Sequence, residues 1–218
     1  MAGMSTRILI ADDQDNVRIG FRLVLDSQPD MTVVGEAARG DTALELANNL
    51  KPDVVLADIR MPGIDGLELT RRLAGSDAVR RIQVIVVTTF DLDEYITAAF
   101  QNGACGFLLK RSSPTLLVEA IRAAMAGDAL ISPQLTVRLL RRLVPPPTAH
   151  RNTAALTARE LEIVQGLADG GTNAEIADQL VISPGTVKTH IANIQAKLGV
   201  RNRVGIAAWA WSTGHVRP

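Results

Sequence analysis

Cysteine occurs once in 218 residues, at Cys105. No intrachain disulfide is therefore possible. Cys105 lies in an apolar, strand-like stretch, where a lone thiol is usually buried and inert rather than a redox sensor. Aromatic residues are scarce, at 3 %, so the apolar content of a globular core falls to Ala, Leu, Val and Ile. No apolar run reaches the roughly 18 residues that a membrane span requires. The first residues lack a charged region followed by a long apolar stretch, so no signal peptide is expected. These absences point to a cytoplasmic protein with no membrane partner.

Acidic residues are missing from the last part of the chain. After Asp178 there is no Asp or Glu, while Lys188, Lys197, Arg201, Arg203 and Arg217 follow. The formal net charge of zero hides this asymmetry. Residues 1–127 carry 13 Lys/Arg against 17 Asp/Glu, and residues 128–218 carry 10 against 6. An acidic front and a basic back predict two domains with different partners, the second a polyanion.

The front half alternates short apolar runs with amphipathic stretches. The runs predict strands near 7–11, 31–36, 53–57, 82–87 and 105–109. Helical patterns fall near 15–27, 40–50, 66–75, 91–102 and 113–126. Five βα units of this length predict an α/β fold, a five-stranded parallel, doubly wound sheet covered on both faces. Ser113-Pro114 reads as an N-cap followed by a first-turn proline, and Gly127 as a helix end.

Two of these runs end in acids. Ile8-Leu9-Ile10-Ala11 leads into Asp12-Asp13, and Val54-Val55-Leu56-Ala57 leads into Asp58. Parallel sheets bind ligands at the carboxyl ends of their strands, so adjacent strands would crowd three carboxylates into one crevice. Such a cluster repels itself unless a divalent cation sits there, and hard oxygen donors suit Mg²⁺. Lys110 ends the run Phe107-Leu108-Leu109, and Thr88 ends Val84-Ile85-Val86-Val87. Both would reach the same sheet edge. Taken singly these residues say little: Asp12, Asp13 or Asp58 could simply start a helix, Thr88 is an ordinary strand residue, and Phe107 is ordinary core. Taken together they form a set for phosphoryl transfer, in which a carboxylate attacks phosphorus while the cations neutralise the equatorial oxygens.

Over residues 7–127 the sequence resembles a response-regulator receiver domain. The resemblance rests on Asp12-Asp13, the segment from Asp58 to Gly63, Asp65-Gly66, Thr88 and Phe107-Leu108-Leu109-Lys110. It implies that Asp58 is the phosphoacceptor. It further implies that Asp12, Asp13, Asp58 and the backbone carbonyl of Arg60 hold Mg²⁺, and that Thr88 and Lys110 bind the phosphoryl oxygens. Phe107 would be the switch aromatic, turning inward as Thr88 moves toward the phosphate. Haloacid-dehalogenase-type phosphatases also use a strand-end Asp with Mg²⁺. They place an acid two residues further on, where this chain has Arg60, which donates no proton at neutral pH.

The back half reads as all α. Residues 128–150 form a linker, with an amphipathic helix over 133–144 and a semi-rigid spacer at Pro145-Pro146-Pro147. Thr157-Ala158-Arg159-Glu160 and Thr172-Asn173-Ala174-Glu175 fit capping boxes. They open helices to about Ala168 and Leu180. Ser183-Pro184 starts a third helix to Leu198, and Arg203 to Ser212 is a fourth. In the third helix Val187, Ile191, Ile194 and Leu198 form one apolar stripe. The opposite face carries Gly185, Thr189, Ala192, Asn193 and Ala196, with Lys188, His190 and Lys197 on the shoulders. Small outer residues permit close approach to base edges, while cations meet phosphates.

This half resembles a LuxR-type helix-turn-helix domain over about residues 154–216, and the whole chain resembles a two-component response regulator of the NarL/FixJ subfamily. The match rests on Leu156 to Glu160, Asn173 to Ala177, Ser183, Thr186 to His190, and Lys197-Leu198-Gly199 with Arg201. It implies that Lys188, Thr189, Ala192 and Asn193 face the major groove of double-stranded DNA. Thr186, His190, Lys197 and the helix start at Asn173 would meet phosphates. The organisation expected is a receiver over 1–127, a linker over 128–150 and a DNA-binding domain over 151–218. The function expected is a phosphorylation-controlled transcriptional regulator rather than an enzyme. A cognate sensor histidine kinase would serve as phosphodonor, and a homodimer would form on phosphorylation or DNA binding. Trp209 and Trp211 make the last helix apolar enough for shared use between core and dimer. The alternatives are a phosphate-independent LuxR-type regulator and a Mg-dependent aspartyl-phosphate phosphatase.

Overall fold

A computed structural model describes residues 5–75, 82–89, 93–128, 130–131 and 156–213. The expected linker helix over 133–144 and the Pro145 to Pro147 spacer lie outside them. The described front half alternates β1 (Thr6–Ala11), α1 (Asp15–Asp26), β2 (Met31–Ala37), α2 (Gly40–Leu50), β3 (Val54–Ala57), α3 (Gly66–Ala74), β4 (Gln83–Thr88), α4 (Asp93–Gln101), β5 (Gly106–Leu109) and α5 (Pro114–Ala126). Every strand pairing is parallel, in the order β2-β1-β3-β4-β5. A two-residue β6 (Leu130–Ile131) extends the sheet beside β5. The chain therefore adds a strand to the sheet after Gly127, where the sequence predicts only linker.

The continuous apolar strands follow from burial on both faces. Ile8 and Ile10 face one core with Leu56, Ile85, Leu117 and Ile121. Their neighbours Leu9 and Ala11 face the opposite core with Ala43, Ala47, Leu69 and Leu73. A third cluster lies under α4, where Val86, Ile96, Phe100 and Phe107 meet. Two glycines let the loops close over the sheet edge. A Cβ on Gly66 would lie 2.0 Å from the Asp58 carbonyl oxygen, and one on Gly40 1.9 Å from that of Ile64. No larger residue fits either position without moving backbone.

The second unit contains α6 (Ala158–Ala168), α7 (Asn173–Leu180), α8 (Pro184–Leu198) and α9 (Arg203–Ser212). Thr157 and Thr172 each close a complete capping box with Glu160 and Glu175. Val187, Ile191 and Ile194 of α8 are buried against Ile163, Leu167, Ile176 and Ile206. Trp209 and Trp211 pack on the edge of this cluster. The turn between α7 and α8 passes through Val181 in the left-handed region, at φ 54°. A β-branched residue is costly there. The compensation is a bond from Ile182 N–H to the Ala177 carbonyl at 3.0 Å, with Ile182 packed on the cluster.

Among the described residues, no helix is long and apolar enough to cross a membrane.

Candidate phosphoacceptor pocket and nucleic-acid interface

β1 and β3 are neighbours, while β2 lies on the far side of β1. Their carboxyl ends therefore flank the point where strand order reverses, a natural crevice in an open parallel sheet. Asp12 follows β1 and Asp58 follows β3. They are 2 % and 4 % exposed, respectively. The backbone fixes both: Asp12 N–H donates to the Ala37 carbonyl and Asp58 N–H to the Ala11 carbonyl, at 3.0 and 2.8 Å. Each carboxylate has one oxygen held by a nearby amide. Gln14 N–H donates to Asp12 Oδ1 at 2.9 Å and Ile59 N–H to Asp58 Oδ1 at 2.7 Å.

Lys110 joins them from β5. Its Nζ lies 2.7 Å from Asp12 Oδ2 and 2.8 Å from Asp58 Oδ2. Burial pulls the ammonium pKa down, but the bonds to the two carboxylates outweigh it and leave Lys110 above its ordinary value. Burial also raises the Asp12 carboxyl, against the opposing pull of Lys110 and the Gln14 amide. Lys110 N–H donates to the Thr88 carbonyl at 2.9 Å, which ties the lysine to the end of β4. Thr88 itself is fully buried.

Asp13 completes the acidic set from an exposed position. One carboxylate oxygen from each of Asp12, Asp13 and Asp58 lies within 4.8 Å of the others. Three carboxylates against one ammonium leave an excess of negative charge. Hard oxygen donors at this spacing fit a divalent cation of the Mg²⁺ type. A cleft of about 480 Å³ opens beside them, lined by Asp13, Arg60, Met61, Pro62 and Tyr95 among others. The Arg60 guanidinium reaches over it to the Tyr95 hydroxyl at 3.4 Å.

Phe107 is the expected switch aromatic. Its ring is fully buried beneath α4, packed with Val86, Ile96 and Phe100. The sequence reading has the ring turning inward as the switch operates, whereas in this state it is already enclosed.

The expected DNA-facing residues divide into two groups. Lys188, Thr189, Ala192, Asn193 and Thr186 are exposed on α8, and His190 is half-buried. Thr186 and Ser183 share a hydroxyl bond of 2.8 Å at the helix start, and Thr189 Oγ1 bonds back to the Gly185 carbonyl. The remaining expected contacts are bonded within the chain. Lys197 is ion-paired at 2.7 Å with the buried Glu160, which the capping box alone would leave as an uncompensated anion. In this state the bond to Glu160 occupies the Lys197 ammonium. Asn173 is buried, with Nδ2 donating to the Ala126 carbonyl of the receiver half at 3.1 Å. Lys188 Nζ points the same way, to the Met125 carbonyl at 3.4 Å.

The two halves therefore touch through the expected DNA-binding elements, and four further residues carry that contact. Asn202 Nδ2 donates to the carbonyls of Phe100 and Ala104 at 2.8 and 3.0 Å, while its Oδ1 caps α9 through Gly205 N–H. Arg201 donates to the Gln101 carbonyl. Arg203 pairs with Asp128 just beyond α5. Val204 packs against the α4 cluster. No local sequence pattern points to Asn202, because its partners in the receiver half are about 100 residues away.

Comparison with known proteins matches residues 8–122 to the response regulator receiver domain and residues 154–210 to the bacterial regulatory proteins of the luxR family. The transcriptional regulatory protein LiaR of Bacillus subtilis (strain 168) is 39 % identical over 204 residues, covering 94 % of this chain and 96 % of LiaR. The nitrate/nitrite response regulator protein NarL of Escherichia coli (strain K12) is 37 % identical over 203 residues, 93 % of each chain. Among solved structures, the response regulator ChrA of a heme-sensing two-component system aligns with a TM-score of 0.53 and 39 % identity, covering 97 % of this chain and 99 % of ChrA. RcsB, solved as dimers bound to DNA, aligns with a TM-score of 0.58 and 26 % identity over 95 % of this chain and 98 % of RcsB.

Proposed function

The chain belongs to the two-component response regulators that join a receiver domain to a LuxR-type helix-turn-helix domain, and on that premise we propose that Asp58 is its phosphoacceptor and that phosphorylation there controls DNA binding. It is a transcriptional regulator, like its relatives, rather than an enzyme. The single observation that carries the assignment is the Lys110 ammonium bridging Asp12 and Asp58 at 2.7 and 2.8 Å in a buried crevice.

The chemistry follows from that geometry. An Asp58 carboxylate oxygen attacks the phosphorus of a phosphohistidine on a sensor kinase, or of a small acyl phosphate. A new O–P bond forms as the bond to the leaving group breaks, and the leaving group departs with the electron pair. The amide of Ile59 and the ammonium of Lys110 orient the attacking carboxylate. After transfer, Lys110 and the Thr88 hydroxyl hold the phosphoryl oxygens. Asp12, Asp13, Asp58 and the Arg60 carbonyl would hold Mg²⁺, whose charge offsets that of the equatorial oxygens. Moving Lys110 and Thr88 toward a phosphate shifts the ends of β4 and β5, the strands whose following segments meet the DNA-binding half.

On the DNA side, Lys188, Thr189, Ala192 and Asn193 would face base edges, and Thr186, His190, Lys197 and the start of α7 would meet phosphates. In the closed state described above, Lys188 and Asn173 are engaged by the receiver, which favours occlusion before phosphorylation. Binding as a homodimer is supported by the DNA-bound dimers of RcsB. The organisation proposed is a receiver to residue 127, a connecting segment, and a DNA-binding domain from about residue 151.

Acetyl phosphate with Mg²⁺ tests the central claim. Intact mass should rise by one phosphoryl group in the wild type, and Asp58→Ala should abolish the acid-stable, base-labile adduct. Stoichiometric labelling of Asp58→Ala would refute it. A phosphate-independent regulator would instead bind its operator equally well as Asp58→Asn with and without phosphodonor.

A further inference from the structure

Asp128 directly follows the last helix of the receiver yet completes a site in the DNA-binding half. Gly127, at φ 87°, ends α5 in a Schellman turn, with Asp128 N–H bonded to the Ala123 carbonyl at 2.8 Å. The receiver's own helix end therefore fixes where the Asp128 carboxylate points. Its Oδ1 accepts from Asn173 N–H, the first amide of α7, at 3.1 Å. The same oxygen takes the Arg203 guanidinium from the start of α9. Arg203 in turn reaches the Gly171 carbonyl and the Asn173 side-chain oxygen. The side chains of Arg203 and Asp128 are 12 % and 16 % exposed, so the pair is largely shielded from water.

Satisfying the amides of α7 shows what Asp128 supplies. The capping box uses Glu175 N–H and Thr172 N–H within the helix start itself. The Asn173 amide is left to an outside acceptor, and it faces a cation contributed by another helix. A backbone amide at a helix start beside a guanidinium is suited to one anionic oxygen. In this state that oxygen is the carboxylate of Asp128.

We propose that Asp128 is an intramolecular stand-in for a DNA backbone phosphate: it fills the anion site formed by Asn173 N–H and Arg203, and a phosphodiester oxygen takes its place when the domains part. This rests on the reading that α7 starts against the DNA backbone, and it adds Arg203 to that contact. Competition between two anions for one site makes the closed state and DNA binding mutually exclusive through a single charge. The DNA-binding half keeps its site formed in both states, because each state supplies an acceptor of the same kind.

The test uses the full chain and the Asp128→Asn and Arg203→Gln variants, each with and without acetyl phosphate and Mg²⁺. A labelled operator duplex reports affinity, and amide hydrogen exchange reports the Asn173 N–H. Without phosphodonor, Asp128→Asn should bind duplex roughly tenfold more tightly than the wild type. With phosphodonor the two should bind alike, because Asp128 has already left the site. Arg203→Gln should weaken binding in the phosphorylated state. The Asn173 amide should be protected in the resting wild type and lose protection on phosphorylation in the absence of DNA. Three results would overturn the proposal: unchanged or weaker resting affinity of Asp128→Asn, an equal gain in both states (loss of a repulsive charge and nothing more), or an Asn173 amide that stays protected after phosphorylation. If exchange behaves as expected but phosphorylated wild type binds no duplex, the DNA reading fails while the Asp128 contact stands.

Discussion

Lys110 shows how much one side chain can hold in place. It is the one cation bonded to both buried carboxylates in the described pocket, and both carboxylates are almost closed off from solvent. Removing one partner of a buried ion pair leaves the other charge stranded, typically at a cost of about 3 kcal/mol. Lys110→Met should therefore lower unfolding stability by about that amount at neutral pH in the presence of a chelator. Added Mg²⁺ should restore part of the loss by neutralising the stranded acids. Chemical denaturation with and without the metal measures both effects. A loss that is insensitive to Mg²⁺ would count against the shared-charge account. At this scale the sequence was informative about identity and poor about partnership. Asp12, Asp58, Lys110 and Thr88 could each be placed at a strand end from apolar runs alone. Asp128, Asn202 and Arg203 could not, because their partners lie 45 to 102 residues away and no local pattern encodes such pairings.

Among the elements, α6 depends on a bond that titrates. Glu160 is buried at its third position, capping Thr157 N–H and pairing with Lys197 of α8. Lys197 and the Thr157 amide hold its carboxyl at about 2, against 4.5 for an ordinary glutamate. A depressed carboxylate contributes stability above its unfolded pKa and loses it as pH falls through the folded one. The Glu160 contribution should be complete above about 4.5 and fade toward about 2. Glu160→Gln should melt below the wild type at neutral pH, and the difference should shrink across that window in thermal scans. A constant difference would show that packing rather than ionisation is responsible. Element boundaries were legible wherever a cap marks them: Thr157, Thr172, Ser183 and Gly127 sit where side-chain chemistry places helix ends. The turn at Val181 was legible only from its surroundings, since nothing in valine favours a positive φ. Two-residue β6 left no periodic signal, because a strand that short has no alternation to read.

For the whole molecule, the single cysteine offers an internal probe. Cys105 begins the segment leading into β5 and lines a cavity between the halves, together with Gly127, Lys188, Arg201 and Asn202. Burial pushes its thiol up to about 12, and the thiolate is the reactive form. Maleimide should react slowly in the resting protein. Treatment with acetyl phosphate and Mg²⁺ should accelerate the reaction if the halves separate, and Asp58→Ala should abolish that acceleration. An unchanged rate in the phosphorylated wild type would mean the junction stays shut.

Sequence alone determined the fold class of each half and which charged groups gather at the sheet edge, because both follow from local quantities. Apolar periodicity fixes what can be buried, and strand-end acids can reach solvent in only one place on a parallel sheet. Tertiary structure alone decided what the DNA-binding surface is doing in the resting chain. Lys197 is committed to a buried glutamate, Asn173 and Lys188 face the receiver, and Phe107 is already enclosed. These outcomes depend on which desolvated groups find partners of opposite charge across the two halves, and composition and spacing carry no record of that distance.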